Sequence, residues 1–359
     1  MREVLNFHLK KYPKMQLQDM VKLIYQSEFG GGHMIADQAE SLERIKKEYA
    51  GGGWENDSLV DPAGLGMCRI SLKVLSQGLS ADTLNSMFVH SAEEIHGSVK
   101  GLEQGLVLLN DMCRRRELPF SLEELQSYCE AYREKGYPAV SHSQAYREAY
   151  HPSYRIAAAG YGKYLPVFIA IDRLLKQKEE EGSFSPIIIS IDGMSGSGKT
   201  SLAKLLAGIY PCNVFHMDDF FLQPFQRTKE RFEEPGGNVD YERFKEEILD
   251  HLGDEGGLEY RVYNCSQQKL DKKVRVPFQK MNIIEGSYSN HPFFGNPYDL
   301  MVFLEIDSKE QEKRIRERNG DFLLRRFLTE WIPLENAYFE ACKIKEKASL
   351  VLTNEGQML

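Results

Sequence analysis

The chain has 359 residues, is 42% hydrophobic and 27% charged, and carries a formal net charge of −8. That composition is globular, long enough for two domains, and gives no support to a general nucleic-acid-binding surface, although a local basic cleft stays open. The six cysteines form no C-x-x-C pair, so neither a disulfide framework nor a zinc site is suggested, and no stretch reaches the length of a membrane span, so a cytoplasmic chain with no membrane partner is expected.

Helical spacing dominates the first half. Leu17, Met20, Val21, Ile24 and Tyr25 mark one helix, stopped by Gly30-Gly31-Gly32. Leu42, Ile45 and Tyr49 mark another, stopped by Gly51-Gly52-Gly53. Ser80 caps a short helix through Leu84, Met87 and Phe88. Ser91 with Glu94 reads as a capping box opening a long helix through Ile95, Val99, Leu102, Leu106 and Leu109, and Ser121 with Glu124 repeats the device. A last helix carries Val167, Phe168, Ile171, Leu174 and Leu175.

Two polar stretches interrupt this pattern: Phe29 to His33, and Ser141 to Arg155. The first reading is a helix stop plus an aromatic packing region with satisfied histidines. The second is an anion or small-molecule site using His142, Tyr154 and Arg155. His33, His90 and His96 are too scattered for a metal site.

The charged run Lys176 to Glu181, followed by Gly182-Ser183-Phe184-Ser185-Pro186, reads as a helix end and linker. It places a mainly helical domain at 1–182 and a second domain at 183–359.

The second domain opens with Ile187-Ile188-Ile189-Ser190-Ile191, a buried parallel strand, and then Gly193-Met194-Ser195-Gly196-Ser197-Gly198-Lys199-Thr200-Ser201. The segment from Gly193 to Thr200 fits G-x-x-x-x-G-K-[ST], a phosphate-binding loop. Its glycines let successive N–H groups converge on phosphate oxygens, and the helix beginning near Lys199 adds its positive end. Lys199 supplies a mobile positive charge for the phosphates, and Thr200 a hydroxyl for Mg²⁺.

Asn213 to Met217 reads as a short strand ending at Asp218-Asp219-Phe220-Phe221. A carboxylate beyond the carboxyl end of such a strand faces a bound ligand, so Asp218 suits a general base or a magnesium ligand. Arg227, Asn238 and Asp240 are candidate acceptor residues, with Asp240 equally an N-cap. Tyr260 to Cys265 alternates like an edge strand or hairpin. Met281 to Gly286 is a buried strand ending in Glu285, a second carboxylate fit to hold Mg²⁺. Asp299 to Asp307 is a further strand, and Ser349 to Asn354 a last one. The basic segment Gln311 to Gly320 lies between them. There, Arg314 and Arg318 are candidates to close over a transferring phosphoryl group, with Arg316 in reserve.

Taken together, the Gly193–Thr200 loop, His216-Met217-Asp218-Asp219-Phe220-Phe221, Ile284-Glu285-Gly286 and the Arg314–Gly320 segment resemble the uridine kinase-like P-loop kinases, over about residues 186–355. That group includes uridine, nicotinamide riboside and pantothenate kinases and phosphoribulokinase. The resemblance implies an α/β fold, a three-layer parallel-sheet P-loop NTPase kinase domain preceded by a mainly α-helical domain. It implies Asp218 as catalytic base, Glu285 assisting magnesium, an arginine lid over ATP, and Tyr263 and Asp219 near the acceptor. Asp218-Asp219-Phe220-Phe221 is closer to nicotinamide riboside kinases than to uridine kinases, and Pro235 to Asp240 replaces the acceptor motif of the latter.

The expected activity is ATP- and Mg²⁺-dependent phosphorylation of a hydroxyl on a nucleoside or other ribosyl or sugar-like metabolite. The partners expected are ATP and that small acceptor, with no nucleic acid; assembly with further copies stays open. Two rivals remain. One is a P-loop ATPase or GTPase-type switch, although the Asn-Lys-x-Asp base-reading motif of GTPases is absent. The other is a ligand-binding protein with the helical half as its working part.

Overall fold

The computed structural model describes residues 1–52, 58–353, 356 and 358. Contacts divide the chain into two compact units, Met1–Gly162 and Lys163–Leu359.

The first unit contains the α-helices Leu17–Phe29, Gln38–Ala50, Ala81–Glu94, Val99–Arg114 and Leu122–Glu134, among shorter ones. Leu17–Phe29 stops where Gly30 takes φ 62°. Ser80 accepts from Thr83 N as the cap of Ala81–Glu94, and Ser121 with Glu124 forms a full capping box. The capping box expected at Ser91 does not form. Ser91 lies inside Ala81–Glu94, where its Oγ donates to Met87 O at 2.6 Å and accepts from Ala158 N at 2.8 Å. The following helix starts at Val99, capped by Ser98. A buried serine spends its hydroxyl on whichever backbone group packing brings near, so S-x-x-E spacing alone does not place a helix start.

The first unit also holds an antiparallel sheet that periodicity did not reveal. Its strands are β1 (Val60–Gly64), β2 (Met67–Ser71) and β3 (Tyr154–Ala158), in the order β1-β2-β3. β2 is buried at all five positions and pairs with β3 from Met67↔Ala158 to Ser71↔Tyr154. Arg69 inside a fully buried strand, and Pro62 inside β1, hide the alternation that marks a sheet edge.

In the second unit, β4 (Ile187–Gly193) precedes β5 (Asn213–His216). Next comes a separate hairpin, β6 (Leu258–Asn264) paired antiparallel with β7 (Lys269–Val276). Then follow β8 (Met281–Glu285), β9 (Leu300–Leu304) and β10 (Leu350–Leu352). All pairings in the five-stranded sheet are parallel, in the order β10-β9-β4-β8-β5. The apolar strands Ile187–Gly193 and Met281–Glu285 lie at its centre, as burial on both faces requires. Helix Lys199–Ala207 connects β4 to β5 and Ser308–Arg326 follows β9, the crossovers that parallel strands need.

The boundary lies at Gly162/Lys163, ahead of the expected linker at 182. The helix Leu165–Glu180 belongs to the second unit. It buries Val167, Phe168 and Ile171, and its Asp172 accepts from Tyr210 OH at 2.8 Å. The Gly182 stretch that follows is a loop within the second unit. No helix among the described residues is long and apolar enough to cross a membrane.

Candidate active site

β4 delivers its glycine loop to the centre of the sheet's carboxyl end. At Gly193 φ is 135°, and a Cβ there would stand 2.2 Å from Leu304 O on neighbouring β9. Gly198 takes φ 106° as the cap of Lys199–Ala207. Both positions exclude a side chain, by backbone conformation and by space. The first-turn N–H groups of that helix, which have no intrahelical acceptor, face the loop's concavity. Lys199 Nζ is folded onto the loop, donating to Gly193 O at 2.6 Å, Met194 O at 3.0 Å and Ser287 Oγ at 3.2 Å.

Acids meet the loop from two strands. Asp218 follows β5 and Glu285 ends β8. Thr200 Oγ1 donates to Glu285 Oε1 at 3.1 Å, and His216 Nδ1 stands 2.5 Å from the same oxygen. Glu285 holds the His216 imidazole above its usual pKa, by hydrogen bond and by charge. The Asp218 carboxyl opens to solvent at the mouth of the cleft but is ringed by protein. Burial raises its pKa, and the charges of Glu285 and Glu335 add to the rise while Lys199 opposes it.

Thr200, Glu285 and Asp218 offer hard oxygen donors of the kind Mg²⁺ takes, and the Thr200–Glu285 hydrogen bond puts two of them side by side. Among the described residues no three His, Cys, Asp or Glu side chains cluster tightly enough to hold a metal by themselves. That suits an ion bound through few protein ligands, with phosphate and water completing its shell.

These residues line one cleft of about 1180 Å³, above the roughly 300–1,000 Å³ of a single small-ligand pocket. Ser195, Gly196, Gly198, Lys199, Thr200, Ser201, Asp218 and Glu285 reach it. Arg314 reaches it with Nη1 donating to Gly196 O at 3.3 Å, and Arg318 lines it with Arg326. Arg316 does not, being paired with Glu312 and Asp321. Of the candidate acceptor residues, Arg227, Asn238 and Tyr263 line the cleft, Arg227 Nη2 donating to Tyr263 OH at 2.7 Å.

Two candidates fall outside. Asp240 is buried, accepts from Arg243 N as the cap of Tyr241–Glu247 and pairs with the Arg243 guanidinium at 3.4 Å. Asp219 turns away, 3.4 Å from the Tyr260 hydroxyl that donates to it. The buried Arg243 claims the first, and the turn after β5 sends successive side chains to opposite sides.

Four residues of the site had not been singled out for it. Glu335, buried on helix Ile332–Cys342, accepts from Ser195 N at 3.0 Å and Ser195 Oγ at 2.6 Å. Ser287 Oγ donates to the same carboxylate at 2.8 Å. Asp192 lies beneath the loop, accepting from Gly193 N, Asn290 N and Tyr338 OH, and burial pushes its pKa up to about 6. His216 is the fourth. His216, Ser287 and Asp192 adjoin residues already marked by motif, so their signal was adjacency. Glu335 carries no local signal, because only the tertiary fold brings its helix to the loop.

In the first unit, His142 is closed into a network. Its Nδ1 lies 2.8 Å from Asp19 Oδ1, its Nε2 lies 2.6 Å from Tyr154 OH, and its ring stacks on Tyr146 at 4.2 Å. Arg155 pairs with Glu48 at 2.8 Å. The histidine is thus satisfied within its packing.

No family model matches the chain. Among curated proteins it is 28% identical to uridine-cytidine kinase C of Dictyostelium discoideum over 136 residues, covering 38% of this chain and 30% of that one. It is 27% identical to the uridine kinase of Ureaplasma parvum over 191 residues, covering 48% of this chain and 90% of that one. The chain thus spans under a third of the first relative's length and most of the second's. Among solved structures, a possible uridine kinase from Bacillus stearothermophilus matches at 22% identity and TM-score 0.38, covering 51% of this chain and 98% of that one. A putative fructose transport system kinase from Silicibacter matches at 21% identity and TM-score 0.37, covering 46% and 89%. Over roughly half its length, the chain belongs to the uridine kinase-like P-loop kinases.

Proposed function

We propose that the chain is an ATP-dependent kinase transferring the γ-phosphoryl group to a hydroxyl of a small metabolite, a nucleoside or another ribosyl or sugar-like compound. The observation that carries this reading is the carboxyl of Asp218, open in the same cleft as Lys199 and Thr200. A hydrolytic switch needs no such base beside a second, separately lined part of the cleft.

Phosphoryl transfer demands mainly positioning and charge stabilisation. The loop amides and Lys199 bind the β- and γ-phosphates. Bound Mg²⁺, held by Thr200 and Glu285, would neutralise phosphate charge. Asp218 accepts the proton of the acceptor hydroxyl as its oxygen bonds to the γ-phosphorus and the bond to the departing ADP breaks. Its raised pKa brings it nearer the working pH of a general base. Arg314 and Arg318 balance charge on the transferring group, and Arg227, Asn238 and Tyr263 orient the acceptor.

The test is a screen of nucleosides, sugars and vitamins for acceptor-dependent ADP release. The expected result is turnover with one acceptor class far above hydrolysis without acceptor. Hydrolysis that no acceptor stimulates would favour the switch reading instead.

A further inference from the structure

In the first unit, β2 places Arg69 at the centre of a fully buried strand. Its residue is 3% exposed. Nε and Nη2 both donate to one neutral acceptor, Gln26 Oε1, at 3.2 and 2.8 Å. The guanidinium carbon lies 4.7 Å from the centroid of the Tyr154 ring. Nη1 has no hydrogen-bond partner among the described residues, and no carboxylate among them lies within ion-pair distance. A buried cation without a counter-ion is costly, and a fold that keeps one leaves a place for an anion.

That place is a pocket lined by Arg69, Ser153, Tyr146 and Tyr150, among others. Ser153 Oγ is a second buried group there with no partner. Asp61 also lines the pocket, but its charge is taken up by Lys11 Nζ at 2.5 Å and by the Tyr12 hydroxyl at 2.5 Å. The tyrosine wall is rigid: Tyr146 packs edge-on against Tyr150 at 4.9 Å and tilted against Tyr12 at 5.4 Å. The enclosed volume is about 20 Å³, space for one small group and far too little for a nucleotide. A water molecule would satisfy the hydrogen bonds but leave the guanidinium charge unmatched.

We infer that the first unit carries an oxyanion-binding site in which Arg69 Nη1 and Ser153 Oγ bind the carboxylate or phosphate group of a small molecule between the tyrosines of the Ser141–Arg155 stretch. The site differs from the one first suggested by that stretch. His142 and Arg155 are spent on Asp19 and Glu48, and the binding cation comes from a distant strand.

Equilibrium dialysis of the full chain against radiolabelled inorganic phosphate, and separately against radiolabelled acetate, tests this. One anion is expected to bind, and which of the two binds tighter identifies the group. Ser153→Ala removes a hydroxyl that no fold contact uses, so it should fold normally and weaken binding several-fold. Arg69→Gln should weaken it about tenfold or more, as loss of a charged hydrogen bond implies. Lys199→Ala should leave this binding unchanged, because it disables only the phosphate loop. Should Arg69→Gln fail to fold, Ser153→Ala decides. Failure of both anions to bind at millimolar concentration would overturn the inference. So would binding that Lys199→Ala abolishes, or binding that folded Ser153→Ala leaves intact.

Discussion

His216 Nδ1 and Thr200 Oγ1 converge on a single oxygen, Glu285 Oε1, at 2.5 and 3.1 Å. Below its raised pKa His216 is a cation that occupies the carboxylate, and above it the carboxylate is released. The pair's contribution to stability is accordingly full below the unfolded value of 6.5 and is lost as pH rises through the higher folded value. Mg²⁺ affinity should rise over that same window. In His216→Gln the pH dependence should vanish. Calorimetric Mg²⁺ titration in the presence of nucleotide checks this, and an affinity indifferent to pH in the wild type would refute it.

Asp218→Asn should lower kcat by about 10²–10⁴, the usual worth of a general base. Nucleotide binding should persist, because no contact of the phosphate loop depends on this carboxyl. In the wild type the acidic limb of kcat/KM should fall above 3.8, the ordinary aspartate value, because the Asp218 pKa is raised. Activity is then lost as pH falls through that raised value. Full activity of the Asn variant would remove Asp218 from the mechanism.

Gly193→Ala places a methyl group against Leu304 O in a backbone conformation with φ 135°. The expected cost is about 2 kcal/mol or more, with nucleotide binding lost. Urea unfolding and nucleotide titration report the two effects separately.

Asp240→Ala and Arg227→Ala should behave in opposite ways. Asp240 caps a helix and pairs with Arg243, so its loss should cost about 1–3 kcal/mol of stability while the acceptor KM stays unchanged. Arg227 lines the cleft, so its loss should raise the acceptor KM about tenfold at nearly constant stability. Steady-state kinetics paired with thermal melts separates them.

The first unit should lose stability in mild acid. Burial lowers His8 to about 4 and His142 to about 3, from 6.5. Unfolded, both histidines take up protons below 6.5, whereas folded they stay neutral down to those depressed values. Stability therefore falls as pH drops from 6.5 toward 4. Asp19, held below its usual 3.8 by His142 and Ser143 against the opposing effect of burial, adds a further loss at still lower pH. His142→Phe should flatten part of the upper slope in pH-dependent melts.

The donor side of the active site was written locally and could be read from residues. Gly193 to Thr200 states its own backbone geometry, and Asp218 and Glu285 stand at strand ends that apolar runs announce. Arg314 and Arg318 were likewise marked by a basic segment. What stayed hidden depends on partners distant in sequence. Glu335 reaches Ser195 only because a late helix folds back. Asp240 looked like an acceptor residue until Arg243 was seen to hold it. The sheet of the first unit escaped because β2 buries an arginine and its partner β3 comes much later in the chain. The same arginine now marks the clearest unassigned feature there.

The strand order carries a consequence for how substrates are oriented. β4 stands between β8, which leads to β5, and β9. Both acids therefore enter from one flank of the glycine loop, while Arg314 and Arg318 follow β9 on the other. Under the proposed reading, a bound pair of substrates is polarised along the sheet edge, proton acceptor at one end and cations at the other. That polarity is a property of the connectivity. Point substitutions can weaken either pole, but reversing the direction of transfer across the cleft would require rethreading the chain.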